Sequence, residues 1–356
     1  MHIEELCVQD VRNLATVSCS VGPGLNLFLG RNGSGKTAIL EAIFLLGRGR
    51  SFRTSRVSDI PKRPGSSLQV TARLKYANSD EAFTGIERVD SRLQIRFNRE
   101  PVRQISTHTA RFPLVLITPE SQDLVFGAPK TRRHWLDWAL FHVEQSYLIN
   151  WKNYHRALRQ RNCLLRIPGR EGELVAWEEE MVRAGSALHE SRERFVGALR
   201  NAFAQMATDI WTGRPDIVLQ PGWNQEKSLL DALRDARSGD INTGFTRYGP
   251  HRADLRFTTE DVPVADICSR GQGKLFITLV ALGQALVFRD FTGEPPILLL
   301  DDISAELDLA SRVQVVRRIR DMGLQTMVTD ATERPEWTRD QVLHVFHVEH
   351  GRVRKC

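Results

Sequence analysis

The residues with the clearest chemistry are Gly30-Arg31-Asn32-Gly33-Ser34-Gly35-Lys36-Thr37. They fit the pattern G-x-x-x-x-G-K-[ST] at every fixed position. The chemistry this implies is phosphate binding. Glycines let successive backbone N–H groups turn toward one centre and form an anion nest. A helix starting near Gly35 adds the positive end of its dipole. Lys36 supplies a mobile point charge for the β- and γ-phosphates, and the Thr37 hydroxyl is a ligand for Mg²⁺. The competing reading is a chance loop, and the apolar strand before it and helical spacing after it argue against that.

A second group is Pro296-Ile297-Leu298-Leu299-Leu300-Asp301-Asp302. An apolar strand that ends in two acids beside a phosphate loop lets Asp301 hold Mg²⁺ through water. Asp302, one residue on, is then placed to orient or deprotonate an attacking water. The bland reading is a strand running into a solvated turn, where aspartates are common. Asp308 follows closely in Ser304-Ala305-Glu306-Leu307-Asp308. A third group, Cys268-Ser269-Arg270-Gly271-Gln272-Gly273-Lys274, opens an apolar helix. Ser269 Oγ and the N–H groups of Gly271 and Gln272 form a second anion site at a helix start. One nucleotide rarely needs two such starts from one chain, so the second is expected to serve a nucleotide held by another copy. The plain alternative is a serine cap on a core helix.

The elements that must position these groups can be read from periodicity. Leu25–Leu29 reads as a buried strand, and Ile39, Leu40, Ala42, Ile43 and Leu46 have helical spacing. Leu68–Ala72, Leu93–Phe97 and Leu114–Ile117 read as strands of a small antiparallel sheet. The acid-tipped strand is expected beside the phosphate-loop strand. Helical periodicity runs through Arg133–Arg166, breaks at Pro168-Gly169, and resumes through Glu173–Ile210. This polar stretch predicts a helical arm and not a core. After Pro215 short strands and loops are expected, with a last α/β stretch from Ile267 that includes a strand over Leu324–Val328. The fold class is therefore α/β: a P-loop nucleotide-binding unit, residues 1–125 and 246–356, with an inserted, mostly helical arm lobe over 126–245.

Composition narrows the function classes. With 356 residues, 41% apolar and 26% charged, the chain is ordinary globular protein of about two domains. Lys and Arg exceed Asp and Glu by 49 to 43, a mild basic excess that fits an anionic partner. Five cysteines without a C-x-x-C pair argue against a disulfide scaffold or a cysteine-rich zinc site. There is no basic leader with an apolar stretch behind it, and the longest apolar run, Phe276–Phe288, is too short for a bilayer. A cytoplasmic protein without a membrane is expected.

Phosphate loop, Ser-Arg-Gly-Gln, Leu-Leu-Leu-Asp-Asp and Ser-Ala-Glu-Leu-Asp, in that order, resemble the ABC-type ATPase heads of the SMC and Rad50-like group. Within it the chain is most similar to the RecF family of bacterial recombination-mediator ATPases. Arg12-Asn13, Gly47–Arg53, Pro129–Asp137 and Gly249-Pro250-His251-Arg252 carry the likeness further, and it covers essentially the whole chain. The resemblance implies an ATP-dependent homodimer that binds DNA in replication, recombinational repair and the SOS response to damage. It is expected to be a weak, DNA-stimulated ATPase. Lys36 and Thr37 would hold phosphates and Mg²⁺ in cis. Ser269 and Gly271 would meet the γ-phosphate on the opposing subunit. Asp301 would serve Mg²⁺, Asp302 would be the catalytic acid–base, and Ser304–Asp308 would cross the dimer seam. RecR and RecO are implied as partners. Thr329-Asp330 stands where transporter subunits carry a switch histidine, and Gln122, near Glu120, is the candidate Q-loop residue.

For DNA the sequence offers two basic clusters. One, Leu46–Arg63, holds Arg48, Arg50, Arg53, Arg56, Lys62 and Arg63 with a single acid, Asp59. The other, Asn150–Arg170, holds Lys152, Arg156, Arg159, Arg161, Arg166 and Arg170 with none. Such patches neutralise phosphates of single strands or duplex without reading sequence; a solvated helix face is the alternative. Two other classes compete: the ATPase subunit of an ABC transporter and a metabolic P-loop kinase. The helical insertion, the basic clusters and the missing histidine weigh against the first, and the Ser-Arg-Gly-Gln helix against the second.

Overall fold

A computed structural model of the chain describes residues 1–76, 78–89, 92–332, 337 and 343–355. Its strands are β1 (His2–Val11), β2 (Leu14–Ser20), β3 (Leu25–Leu29), β4 (Gln69–Lys75), β5 (Glu81–Val89), β6 (Arg92–Phe97), β7 (Glu100–Pro101) and β8 (Leu114–Ile117). They continue with β9 (Pro215–Gln220), β10 (Asp254–Thr259), β11 (Val262–Pro263), β12 (Ile297–Leu300), β13 (Thr326–Asp330), β14 (Leu343–Glu349) and β15 (Arg352–Lys355). The helices are α1 (Lys36–Arg48), α2 (Ile105–Arg111), α3 (Asp123–Phe126), α4 (Pro129–Val143), α5 (Gln145–Leu164) and α6 (Leu174–Ala207). Then follow α7 (Leu229–Thr243), α8 (Val264–Ile267), α9 (Arg270–Thr292), α10 (Ile303–Glu306) and α11 (Leu309–Met322).

The chain divides into two compact units. The first comprises residues 1–122, 206–210 and 269–356; the second comprises 123–205 and 211–268. The helical lobe expected over 126–245 thus runs on to Cys268, because β9, β10 and β11 form their own three-stranded sheet inside the second unit.

In the first unit, one six-stranded sheet has the order β2-β1-β4-β5-β6-β7 and its main pairings are antiparallel. A second has the order β15-β14-β3-β13-β12-β8, parallel except at the β14–β15 hairpin. Leu114–Ile117 belongs to this parallel sheet, not to the antiparallel one expected from the sequence. Its four consecutive apolar residues mark a strand covered on both faces, whereas β4 alternates buried and partly exposed positions. The acid-tipped strand β12 is also not beside β3; β13 lies between them. The strand read over Leu324–Val328 is shifted to Thr326–Asp330, so Thr329 and Asp330 end a strand instead of following one.

Every residue of β3 is buried, including Asn26. Its amide is satisfied locally: Asn26 Oδ1 accepts from Gly22 N at 2.7 Å, and Nδ2 donates to the carbonyls of Gly22 and Gly24 at 2.9 Å each. This fixes the turn that feeds the phosphate loop. Helix α9 has 23 residues and is long and apolar enough to span a membrane by length and composition, contrary to the sequence expectation. Its apolar window is 72% buried within the fold, which is how a core helix satisfies the same test.

The second unit breaks the predicted Arg133–Arg166 helix at Glu144, whose backbone is extended at φ −138°. Helix α6 is one rod of 34 residues, about 51 Å long. A further helix, α7, occupies a stretch expected to be strands and loops. The unit's polar content is partly internal. Arg161 is fully buried and donates to Glu178 Oε1 at 3.0 Å, Asp240 Oδ2 at 2.9 Å and Thr246 Oγ1 at 2.8 Å. Tyr147, Tyr154 and Phe195 are fully buried as well.

Candidate functional site

The phosphate loop joins β3 to α1 through backbone that only glycine adopts easily. Gly33 has φ +80° and Gly35 has φ +119°. A Cβ on Gly35 would come within 2.8 Å of Leu14 Cδ2. Asn13 Nδ2 donates to the Gly33 carbonyl at 2.9 Å and ties the loop to the β1–β2 hairpin. Lys36 curls back over the loop and donates to the carbonyls of Gly30 at 2.6 Å and Arg31 at 3.1 Å. Burial lowers its pKa, opposed by the carboxylates of Asp302, Asp301 and Asp330. Ser34 Oγ is buried and finds no hydrogen-bond partner among the described residues.

The acids meet this loop across β13. The Thr37 hydroxyl donates to Asp301 Oδ1 at 2.9 Å, and the Thr329 hydroxyl donates to the same oxygen at 2.8 Å. Thr329 Oγ1 also accepts from Asp302 N at 2.7 Å. One buried hydroxyl therefore fixes both acids. Burial raises the Asp301 pKa; the two threonine hydroxyls pull it down again. Asp302 sits in left-handed backbone at φ +50°, a conformation costly for a residue with a side chain.

A cavity of about 840 Å³ lies over the loop. Its lining includes Asn32, Gly33, Gly35, Lys36, Thr37, Asp301 and Asp302, and also Arg12, Arg53, Lys62 and Arg63. The size suits a nucleotide. Arg53, Lys62 and Arg63 were expected on a DNA surface, yet their charge faces the phosphate site. Arg12 makes a bidentate pair with the buried Glu41, at 2.9 and 2.7 Å, and Ser51 Oγ donates to Glu41 at 2.5 Å. Glu41 thereby fastens the Gly47–Arg53 segment to α1. It was missed in the sequence, where its one signal is a lone acid on an otherwise apolar helix.

The remaining expected residues lie apart from this cavity. Ser269 caps α9: Gln272 N donates to Ser269 Oγ at 3.3 Å and Ser269 N to Gln272 Oε1 at 2.9 Å. Ser269, Gly271 and Gln272 are exposed and are not among the residues that line the cavity. Asp308 is an exposed cap of α11, accepting from Ser311 N at 2.9 Å, which lowers its pKa. Asp330, in the switch position, is fully buried and accepts from Ser304 Oγ at 2.5 Å and Trp337 Nε1 at 2.9 Å. It is held as a structural brace. Gln122 ends the short turn after β8 and does not line the cavity either. Of the DNA candidates, Arg50, Arg56 and Arg159 are exposed, while Arg156 stands 3.8 Å from Glu180. Arg161 and Arg170 are paired with Glu178 and Glu173, so the acid-free stretch in sequence is not acid-free in space.

A β-sheet with a phosphate loop on one strand, two acids on another two places away and a capped Ser-Arg-Gly-Gln helix define an ABC-type ATPase head. The chain matches the family described as RecF/RecN/SMC N terminal domain over residues 2–354. It is 35% identical to the DNA replication and repair protein RecF of Shewanella loihica, with 99% of each chain covered. It is 34% identical to RecF of Pseudomonas aeruginosa, with 99% of this chain and 97% of the relative covered. The chain belongs to the RecF family. Its fold matches a solved recombination mediator protein RecF with ATP, of the RecFOR pathway, at TM-score 0.86 and 24% identity, covering 100% of this chain and 97% of that one. A solved Smc head bound to the C-winged helix domain of ScpA matches at TM-score 0.58 and 17% identity, covering 100% and 97%.

Proposed function

We propose that this chain is an ATP-switched DNA-binding protein of replication and recombinational repair, working in the cytoplasm. Two copies close on ATP as a homodimer, clamp single-stranded, duplex or gapped DNA without reading its sequence, and help load a recombinase. Slow hydrolysis releases the clamp. Its relatives carry the name DNA replication and repair protein, and a similar solved protein is described in the RecFOR pathway, so RecR and RecO are the proposed partners.

The site residues support the cofactors. The loop around Gly33 and Gly35 and the Lys36 amine, which line the cavity, fit a triphosphate. Thr37 Oγ1 and Asp301 Oδ1, 2.9 Å apart, are hard oxygen donors of the kind Mg²⁺ takes, Asp301 through water. Mg²⁺ there would neutralise charge on the phosphates. Asp302 is the proposed acid–base residue. Its short side chain, one carbon less than glutamate, fits slow turnover.

One observation carries the dimer: Ser269, Gly271 and Gln272 form an exposed helix start outside their own chain's nucleotide cavity. Such a start is half of a cage that a second copy completes. Sedimentation with and without ATP tests this. Wild type should pass from monomer to dimer with ATP, and Ser269→Arg should bind nucleotide yet stay monomeric. An ATP-independent mass in the wild type would overturn the shared cage.

A further inference from the structure

The segment Phe245–Arg252 takes no part in the nucleotide site. It exposes two aromatic rings within four residues, Phe245 at 40% and Tyr248 at 42%. Each carries a guanidinium: Arg252 lies 5.6 Å from the Phe245 ring centre and Arg247 lies 5.9 Å from that of Tyr248. Between the rings the backbone is pinned from inside. Asn162 Oδ1 accepts from Thr246 N at 2.8 Å and from Thr246 Oγ1 at 2.7 Å. The buried Arg192 donates to the Pro250 carbonyl at 2.8 Å. His251 Nε2 donates to the Thr246 carbonyl at 3.1 Å, leaving Nδ1 to accept from the Tyr154 hydroxyl at 2.7 Å. Gly249 has φ +133°, and a Cβ there would meet Tyr154 Oη at 2.4 Å. The rings are thus presented on a fixed support.

Cations lead up to them. Lys152, Arg159 and Arg166 are exposed and recur every seven residues along and just past α5. On α5 that spacing keeps Lys152 and Arg159 near one face, about 20° apart, and Arg166 follows in the turn after the helix. None has a carboxylate within 4.0 Å among the described residues. Arg166 Nε donates to the Gly244 carbonyl at 3.1 Å, so the stripe ends against the residue before Phe245.

We infer that Phe245 and Tyr248, with the Lys152–Arg159–Arg166 stripe, form a stacking platform for single-stranded DNA. The inference rests on the DNA-binding reading above and gives it a site and a strand form. Exposed rings can stack only on bases that are themselves unstacked, as in a single strand, while the cations follow its phosphates. A duplex offers the cations phosphates but offers the rings nothing. A protein partner is the less fitting occupant, since the stripe is cationic and acid-free, although Ile149 and Ile167 are exposed beside it.

The test is fluorescence anisotropy with labelled oligothymidylate, an abasic strand of equal length and a duplex, each with ATP. Phe245→Ala with Tyr248→Ala should weaken oligothymidylate binding about tenfold or more and leave abasic and duplex binding unchanged. Phe245→Trp with Tyr248→Phe should restore it, since rings are retained. Equal loss on all three DNAs, or no loss on any, overturns the platform while DNA binding itself stands. Loss of a protein partner with oligothymidylate affinity intact also overturns it. Failure of the wild type to bind any of the three sinks the DNA-binding reading and the platform together.

Discussion

Thr329 is the residue whose importance was least visible in the sequence. Read as the neighbour of a missing switch histidine, it proves to hold Asp301 and the Asp302 backbone through one hydroxyl. Nothing in residue type signals this, because threonine is ordinary at the end of a buried strand and the geometry requires β13 to lie beside β12. The phosphate loop was legible for the opposite reason: its local conformation demands glycine at Gly33 and Gly35, so the chemistry is written in the spacing. Thr329→Val keeps the shape and removes both bonds. ATP turnover should fall about tenfold or more, as for lost groups that orient a site's ligands, with nucleotide affinity changed less. Thr329→Ser should restore turnover. Steady-state kinetics with equilibrium nucleotide binding separates the two, and wild-type turnover in the valine variant would show that Thr329 positions nothing.

At the scale of elements, periodicity located most helices and strands but not their partners. Leu114–Ile117 was seen as a strand; its continuous apolar run pointed to the parallel sheet, and nearness in sequence to alternating strands misled. Glu144 ends α4 without a proline or glycine to announce it, so two helices were read as one. The acid-free arm stretch misled similarly, since its partners Glu178 and Asp240 come from other helices. The segment that carries the Gly-Pro-His-Arg motif makes a pH prediction. Burial lowers the His251 pKa to about 4, against a usual value of 6.5. The fold therefore favours the neutral ring. Its contribution is fully present above about pH 6.5 and is lost as pH falls toward 4, because the unfolded chain takes the proton first. The loss approaches about 3 kcal/mol. Urea unfolding at pH 7 and pH 5 should show the drop in wild type and a smaller one in His251→Gln. Equal drops in both would mean that His251 is not its source.

At the scale of the molecule, charge predicts how binding responds to salt. Three of the expected DNA cations line the nucleotide cavity and three more are paired within the arm, which leaves a smaller set for DNA. In the proposed dimer the three-residue stripe on each of two copies would neutralise about six phosphates, so duplex affinity should fall by about 10³ between roughly 50 and 200 mM salt. Titrations across that range with ATP present check it, and a flat response would remove electrostatic contact as the source of binding.

Strand β13 has a consequence of its own. It touches the phosphate-loop strand on one side and the acid strand on the other, with Asp330 opposite Leu29 and Val328 opposite Leu300. Side chains alternate faces along a strand, so sliding it by a single position would turn Thr329 away from both aspartates and bury the wrong groups. The alignment of Asp301 with the phosphate loop therefore depends on a stretch that contains neither. A one-residue deletion near Gly323 or Leu324 should silence the ATPase with all residues of the nucleotide cavity still in the chain.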